Sequence, residues 1–98
     1  MNLPVILRRI AQAEFDDAAN WYEERRTDQG AAFTAAVRQV LVSLRSRPEA
    51  HPRVYGDVRE ALISRYPYAV YYQLEPNRIT VLAIFHTSRD PAEWQNRT

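Results

Sequence analysis

Cysteine is absent from the 98 residues, so a disulfide framework, a thiolate metal site and a thiol nucleophile are all excluded. A reducing compartment suits such a chain. Lysine is absent too: all 13 basic residues are arginine, which fits a GC-rich genome and also a use for planar, bidentate donors. Twelve acidic residues leave a net charge of +1, too small for nucleic-acid binding through a strongly basic surface. Only two glycines occur, with no low-complexity run, and this argues against disorder. No apolar run approaches the roughly 20 residues that cross a bilayer, so membrane insertion is not expected. The amino terminus places Arg8 and Arg9 after a short apolar run, the reverse of a signal peptide, and predicts a cytoplasmic protein.

What remains is 46% hydrophobic and 26% charged, the composition of one compact domain over residues 1–98. So small a domain buries a modest fraction of its surface, and a partner covering apolar surface would stabilise it. Charge is unevenly placed. Glu14, Asp16, Asp17, Glu23 and Glu24 crowd one segment, while Arg53, Arg59, Arg65, Arg78, Arg89 and Arg97 populate the second half.

Val5 to Arg9 reads as a first strand behind Pro4. Ala11, Phe15, Ala18 and Tyr22 recur at helical spacing and predict a helix from Ala11 to about Arg26, acids toward its front and Arg25 and Arg26 at its back, in the order that the helix dipole favours. Thr27 to Gly30 breaks the pattern. Phe33, Val37, Val40, Leu41 and Leu44 then predict a second helix to about Arg47, antiparallel to the first. Pro48 and Pro52 bracket a loop, and Val58 to Ile63 begins a run of extended structure.

Tyr68, Val70, Tyr72 and Leu74 alternate with Ala69, Tyr71 and Gln73, the period of a strand. Glu75 to Arg78 is a turn, and Ile79 to Phe85 is apolar on both faces, as an interior strand requires. His86-Thr87-Ser88-Arg89-Asp90-Pro91 follows as a polar turn. Asp90-Pro91 can open a short helix over Ala92 to Arg97. The fold class is α+β, in β-α-α-β-β-β order, with an antiparallel sheet on a two-helix hairpin.

This order, with the Trp21-Tyr-Glu-Glu-Arg-Arg26 helix, Tyr66-Pro-Tyr68 before the hairpin, and the His86 to Pro91 turn, resembles the RelE/ParE family of type II toxin-antitoxin and plasmid-stabilisation systems. The resemblance runs from the first strand to Trp94. It implies a toxin neutralised by a cognate antitoxin that wraps a segment over it. It implies no metal, no organic cofactor and no sequence-specific DNA binding by the toxin alone. RelE-like members cut messenger RNA on the ribosome, whereas ParE-like members inhibit DNA gyrase, and the fold does not choose between them.

Metal-free RNA cleavage needs a base, an acid and cations near the phosphate. The available set is His86, Arg59, Arg65 and Arg89, with His86 and Arg89 the catalytic pair if the chain is a ribonuclease. His86 stands where some nucleases of the family place a histidine, and Arg89 matches a family arginine. Against cleavage, the strand Tyr68-Ala-Val-Tyr-Tyr72 resembles Arg-Leu-Val-Tyr of the ribosome-dependent nucleases, whose leading arginine contacts the scissile phosphate; Tyr68 replaces it. RelE also carries a tyrosine near the position of Trp94 and Gln95. The resemblance is therefore ParE-like more than RelE-like. Arg59, Arg65, Tyr68, Arg89 and Trp94 are the expected contacts to target or antitoxin, and an inactive interaction module of the same fold is a third reading.

Structural alternatives stand beside these roles. His86 can serve the following turn as a hydrogen-bond partner, Arg89 and Asp90 can pair or cap, Arg59 beside Glu60 can line a solvated strand face, and Arg65 can stack on Tyr66. The tyrosines are expected to divide between a helix-covered core and an open sheet face rather than to form a base-stacking platform.

Overall fold

A computed structural model describes residues 2–98. Strand β1 (Val5–Leu7) leads into helix α1 (Arg9–Arg25) and helix α2 (Gln29–Ser46), followed by β2 (Arg53–Tyr55), β3 (Val58–Leu62), β4 (Tyr68–Leu74), β5 (Ile79–His86) and a short α3 (Ala92–Gln95). The sheet order is β1-β5-β4-β3-β2. Strands β2 to β5 form an antiparallel meander, and β1 joins β5 in parallel, Val5 opposite Ile79. The α+β class and the helix hairpin are as the sequence predicts. Two features differ: β2 lies between the Pro48–Pro52 loop and Val58, where no strand is expected, and β1 makes the sheet mixed.

Helix α1 buries Ala11, Phe15 and Ala18 on one face. It begins at Arg9, two residues before the apolar period starts, so the first strand ends at Leu7 and Arg9 belongs to the helix. The acids therefore lie beyond the first turn, which contains none, and the expected dipole stabilisation of Glu14, Asp16 and Asp17 does not operate. Helix α2 buries Phe33, Val37 and Leu44. The connection turns at Asp28, which adopts φ 73°.

Gly30, read from sequence as part of the breaker, lies inside α2 and is buried. Its amide donates to Glu23 Oε1 at 3.0 Å, and a Cβ there would meet the Ala19 carbonyl oxygen at 2.8 Å. Backbone contact between the helices thus excludes any side chain at this position.

A bulge divides β5 into two registers. Tyr71 opposes Ala83 and Tyr72 opposes Val81, so Leu82 is an extra residue. Ile79, Val81 and Ile84 consequently face the helices, with Val70, Tyr72 and Ala61, whereas Leu82, Ala83 and Phe85 face the other side with Ala69, Tyr71 and Val58. The second face is covered by α3, whose Trp94 stacks on Tyr71 at 4.2 Å between ring centroids. That face is thus not an open sheet surface, as the tyrosine alternation alone suggests.

The carboxyl-terminal segment is tied down at the sheet edge. Beyond Val81, β5 has no β1 beside it, and two side chains take the place of a strand. Glu14 Oε1 accepts the Ile84 N–H at 3.1 Å, and Arg97 donates to the Leu82 carbonyl at 3.0 Å. Arg97 and Glu14 are themselves paired in a two-pronged bridge at 2.9 and 3.0 Å, both side chains largely buried.

Two stability outcomes follow from these contacts. Gly30→Ala, which gains helix propensity in an exposed helix, should here destabilise by about 1–3 kcal/mol because the helices must part. Urea unfolding reads the sign. Arg97→Leu should cost about 3 kcal/mol by stranding the Glu14 carboxylate, whereas Arg78→Ala, at an exposed pair with Glu75, should change the midpoint little.

Candidate functional site

The β3–β4 turn, the end of β5 and the turn after it meet at one end of the sheet. The register places Tyr68 opposite His86, and the Thr87 amide donates to the Pro67 carbonyl at 2.9 Å, locking the two turns together. Arg65, Tyr68, His86 and Arg89 share this end. Arg59 does not: it opposes Tyr72, four residues along β4 from Tyr68, about 13 Å away at strand spacing.

Each expected site residue has a definite structural setting. Arg59 donates to the His51 and Glu49 carbonyls at 2.7 and 3.3 Å, so its guanidinium holds the loop before β2. The neighbouring Glu60 turns to the opposite face and accepts from the Tyr71 hydroxyl at 2.7 Å. Trp94 is 3% exposed; it supports Tyr71 and Tyr55 from beneath and offers no accessible ring face to a partner. Its indole N–H is buried with no acceptor among the described residues.

His86 serves the following turn, the structural alternative of the two. Its Nδ1 accepts the Ser88 amide at 3.1 Å, with Ser88 Oγ at 2.7 Å. That arrangement leaves the proton of a neutral imidazole on Nε2, so the ring has no spare lone pair for proton abstraction. Arg89 pairs with Glu93 at 2.7 Å and lies over the Phe85 ring at 4.6 Å. Asp90 instead caps α3, accepting the Ala92 amide at 3.0 Å.

Tyr68 sits half-buried in an aromatic cluster with Tyr22, Phe33, Tyr66 and His86, at centroid distances of 5.0 to 6.3 Å. Burial raises its hydroxyl pKa, and nearby Arg89 only partly offsets the shift. Burial likewise raises Tyr22, reinforced by Tyr68 and Tyr66. These phenols stay neutral near pH 7 and can donate a hydrogen bond, but none replaces a cationic phosphate clamp.

Arg65 is the exception. It adopts φ 73° at the β3–β4 turn, is exposed, and makes no ion pair, hydrogen bond or ring contact among the described residues. The structural alternative, stacking on Tyr66, does not occur; the Tyr66 ring packs edge-on against Tyr22 and Phe33 instead.

Residues 5–91 match the family described as ParE toxin of type II toxin-antitoxin system, parDE. The chain belongs to the ParE toxin family. Among solved structures, it is similar to one titled "Chromosomal ParDE TA system from P. aeruginosa", with TM-score 0.66 and 16% identity over 88% of this chain and 97% of that one. At that identity the likeness establishes the ParE-like fold. No curated protein matches. Membership supports a toxin role and implies an antitoxin partner, and no helix among the described residues is long and apolar enough to cross a membrane.

Sequence reasoning missed the Glu14–Arg97 bridge and the Tyr55–Trp94 contact of this ParE-family chain. The bridge joins residues 83 positions apart, and neither end carries a local signal. Tyr55 lies on a three-residue strand that is exposed throughout, so no alternation marks it.

The buried phenols on β4 predict an alkaline transition. Tyr72 donates to the Pro48 carbonyl at 2.6 Å, and burial pushes its pKa up to about 12, partly offset by Arg59; burial and the Glu60 carboxylate raise Tyr71 further. A raised folded pKa contributes stability that is complete below the unfolded value of 10.0 and lost as pH climbs through the folded value. The unfolding free energy read from urea titrations should therefore hold to about pH 10 and then fall, by at most about 1.4 kcal/mol per pH unit for each tyrosine, with Tyr72→Phe reducing the slope.

Proposed function

We propose that the chain is a toxin that acts by binding, as a ParE-like inhibitor of DNA gyrase, and is neutralised by a cognate antitoxin laid over its arginine-bearing surface. The observation that supports binding over RNA cleavage is that the candidate catalytic atoms do not converge on a vacant phosphate position. His86 Nδ1 is occupied by Ser88, Arg89 by Glu93, and Arg59 by loop carbonyls. Tyr68, in the place of a nuclease's phosphate-contacting arginine, is packed among aromatic rings.

The same contacts differ in how readily a partner can exchange them. Arg89 and Glu93 are about half exposed, and an i,i+4 pair of this kind contributes only about 0.3–0.5 kcal/mol. A partner's carboxylate can displace Glu93 at little cost. Arg59 bridges two backbone carbonyls, so removing it from them would release the loop before β2.

Induced expression without antitoxin, followed by growth, gyrase supercoiling and transcript integrity, tests the reading. Growth arrest with supercoiling inhibited and transcripts intact is expected, unchanged by His86→Ala and relieved by co-expression of an adjacent antitoxin gene. Cleaved transcripts, abolished together with toxicity by His86→Ala and Arg89→Ala, would transfer the function to a RelE-like ribonuclease; unimpeded growth would indicate an inactive interaction module.

A further inference from the structure

The hydroxyl groups of the described residues differ in what stands ready to take their proton. Ser43, Ser46, Thr87 and Thr98 donate to the backbone carbonyls of Val40, Ser43, Pro67 and Gln95, oxygens too weakly basic to remove it. Thr80 meets the Glu75 carboxylate, but it is buried. Ser88 is exposed, and its Oγ lies 2.7 Å from Nδ1 of the partly buried His86. A histidine within hydrogen-bond reach of a serine hydroxyl is the arrangement that makes an alcohol nucleophilic.

The turn does not need that contact to close. The Arg89 amide donates to the His86 carbonyl at 3.1 Å, and the Ser88 amide donates to Nδ1 at 3.1 Å. The lone pair that is closed to an outside substrate is thus aimed at the hydroxyl of Ser88 itself. The surroundings select the electrophile. Arg89 is the next residue, and its half-exposed pair with Glu93 exchanges readily for other oxygens. A guanidinium beside the nucleophile stabilises the oxygens of a phosphoryl group in transfer and keeps that contact with the phosphate ester, whereas a neutral acyl ester offers it no charge. The two neighbouring carboxylates are engaged, Asp90 by the Ala92 amide and Glu93 by Arg89.

We propose that Ser88 is a covalent modification site that takes a phosphoryl group from an acyl phosphate or a nucleoside triphosphate, with His86 as its general base and Arg89 on the phosphoryl oxygens. Oγ forms a bond to phosphorus as the bond from phosphorus to the leaving oxygen breaks. The hydroxyl proton passes to Nδ1 and then to water, and the donor departs as a carboxylate or a nucleoside diphosphate. The phosphate ester sets about two negative charges beside Arg89 at neutral pH and draws its guanidinium away from Glu93. The site goes beyond the gyrase reading and does not depend on it.

The test incubates the whole purified chain with acetyl phosphate and, separately, with magnesium ATP, and follows the position and rate of phosphorylation by mass spectrometry. Ser88 should be modified by at least one donor, at least about tenfold faster than Ser43, Ser46 or Ser64, and the donor that reacts identifies the source. The product should be an acid-stable serine ester. His86→Gln, which keeps a side-chain acceptor for the turn, and Arg89→Gln should each slow the reaction by at least about tenfold, and Ser88→Ala should abolish it. No modification of Ser88 by either donor, or a rate there no faster than at the other serines, would overturn the proposal. So would an unchanged rate in His86→Gln, or an acid-labile phosphate on the His86 ring in place of Ser88. The comparison among serines is made within the parent chain, so it stands even where a variant fails to fold. The assay reads neither toxicity nor supercoiling, so its failure is separable from failure of the growth assay.

Discussion

The β4–β5 ladder, interrupted at Leu82 by one extra residue, determines which side chains meet the helices and which meet the carboxyl-terminal segment. Without the bulge, strict alternation from Val81 would send Ala83 and Phe85 under the helices and Ile84 to the other face. The shift instead gives the helices Ile84 and gives Trp94 a surface of Leu82, Ala83, Phe85 and Tyr71. Both faces of the central pair are therefore apolar and both are covered. A domain of this length gains a second small core in this way, which offsets its unfavourable ratio of surface to volume.

The bulge lies at the residue where β1 stops. Strand β1 pairs with β5 only through Val81, and from Leu82 onward the edge is completed by Glu14 and Arg97. A side-chain pair thus serves as the continuation of a strand. It binds the last residues of the chain to the first helix, and through them positions α3, Trp94 and the turn that bears Arg89. The site at the end of β5 consequently stands on a rigid support although much of it lies in turns.

Arginine does three different jobs in this molecule, separated by what surrounds each guanidinium. Arg97 and Arg59 are structural, satisfied by carboxylate or backbone oxygen in part-buried settings. Arg89, Arg78 and Arg25 make exposed, weakly held contacts, the last over the Trp21 ring at 3.5 Å. Among the described residues, Arg65 is held by nothing but its own backbone. Only the last two groups can serve recognition without a cost in fold stability, and of these Arg65 and Arg89 lie at the end of the sheet where Tyr68 opposes His86, whereas Arg78 lies at the opposite end and Arg25 on α1. The family's toxin role is thus compatible with a net charge of only +1, since a few well-placed guanidinium groups suffice for carboxylate contacts.

The sequence by itself determined the parts whose signals are local and periodic. Helical spacing of Phe15, Ala18, Phe33 and Val37, alternation along Tyr68 to Leu74, and the Glu75 to Arg78 turn specify the helix hairpin and the main strands, and their order specifies the family. It also placed Arg89 in the turn after the last strand, with His86, read as the first residue of that turn, ending the strand instead. Tertiary structure alone decided the rest. It settled that Gly30 is a helix contact and no breaker, that Arg53 to Tyr55 pairs as an edge strand, that Trp94 is interior, and which arginines are spent on structure. These depend on pairings between residues as far apart as Glu14 and Arg97, and on a one-residue shift at Leu82 that no local periodicity encodes, because a bulge changes register without changing composition.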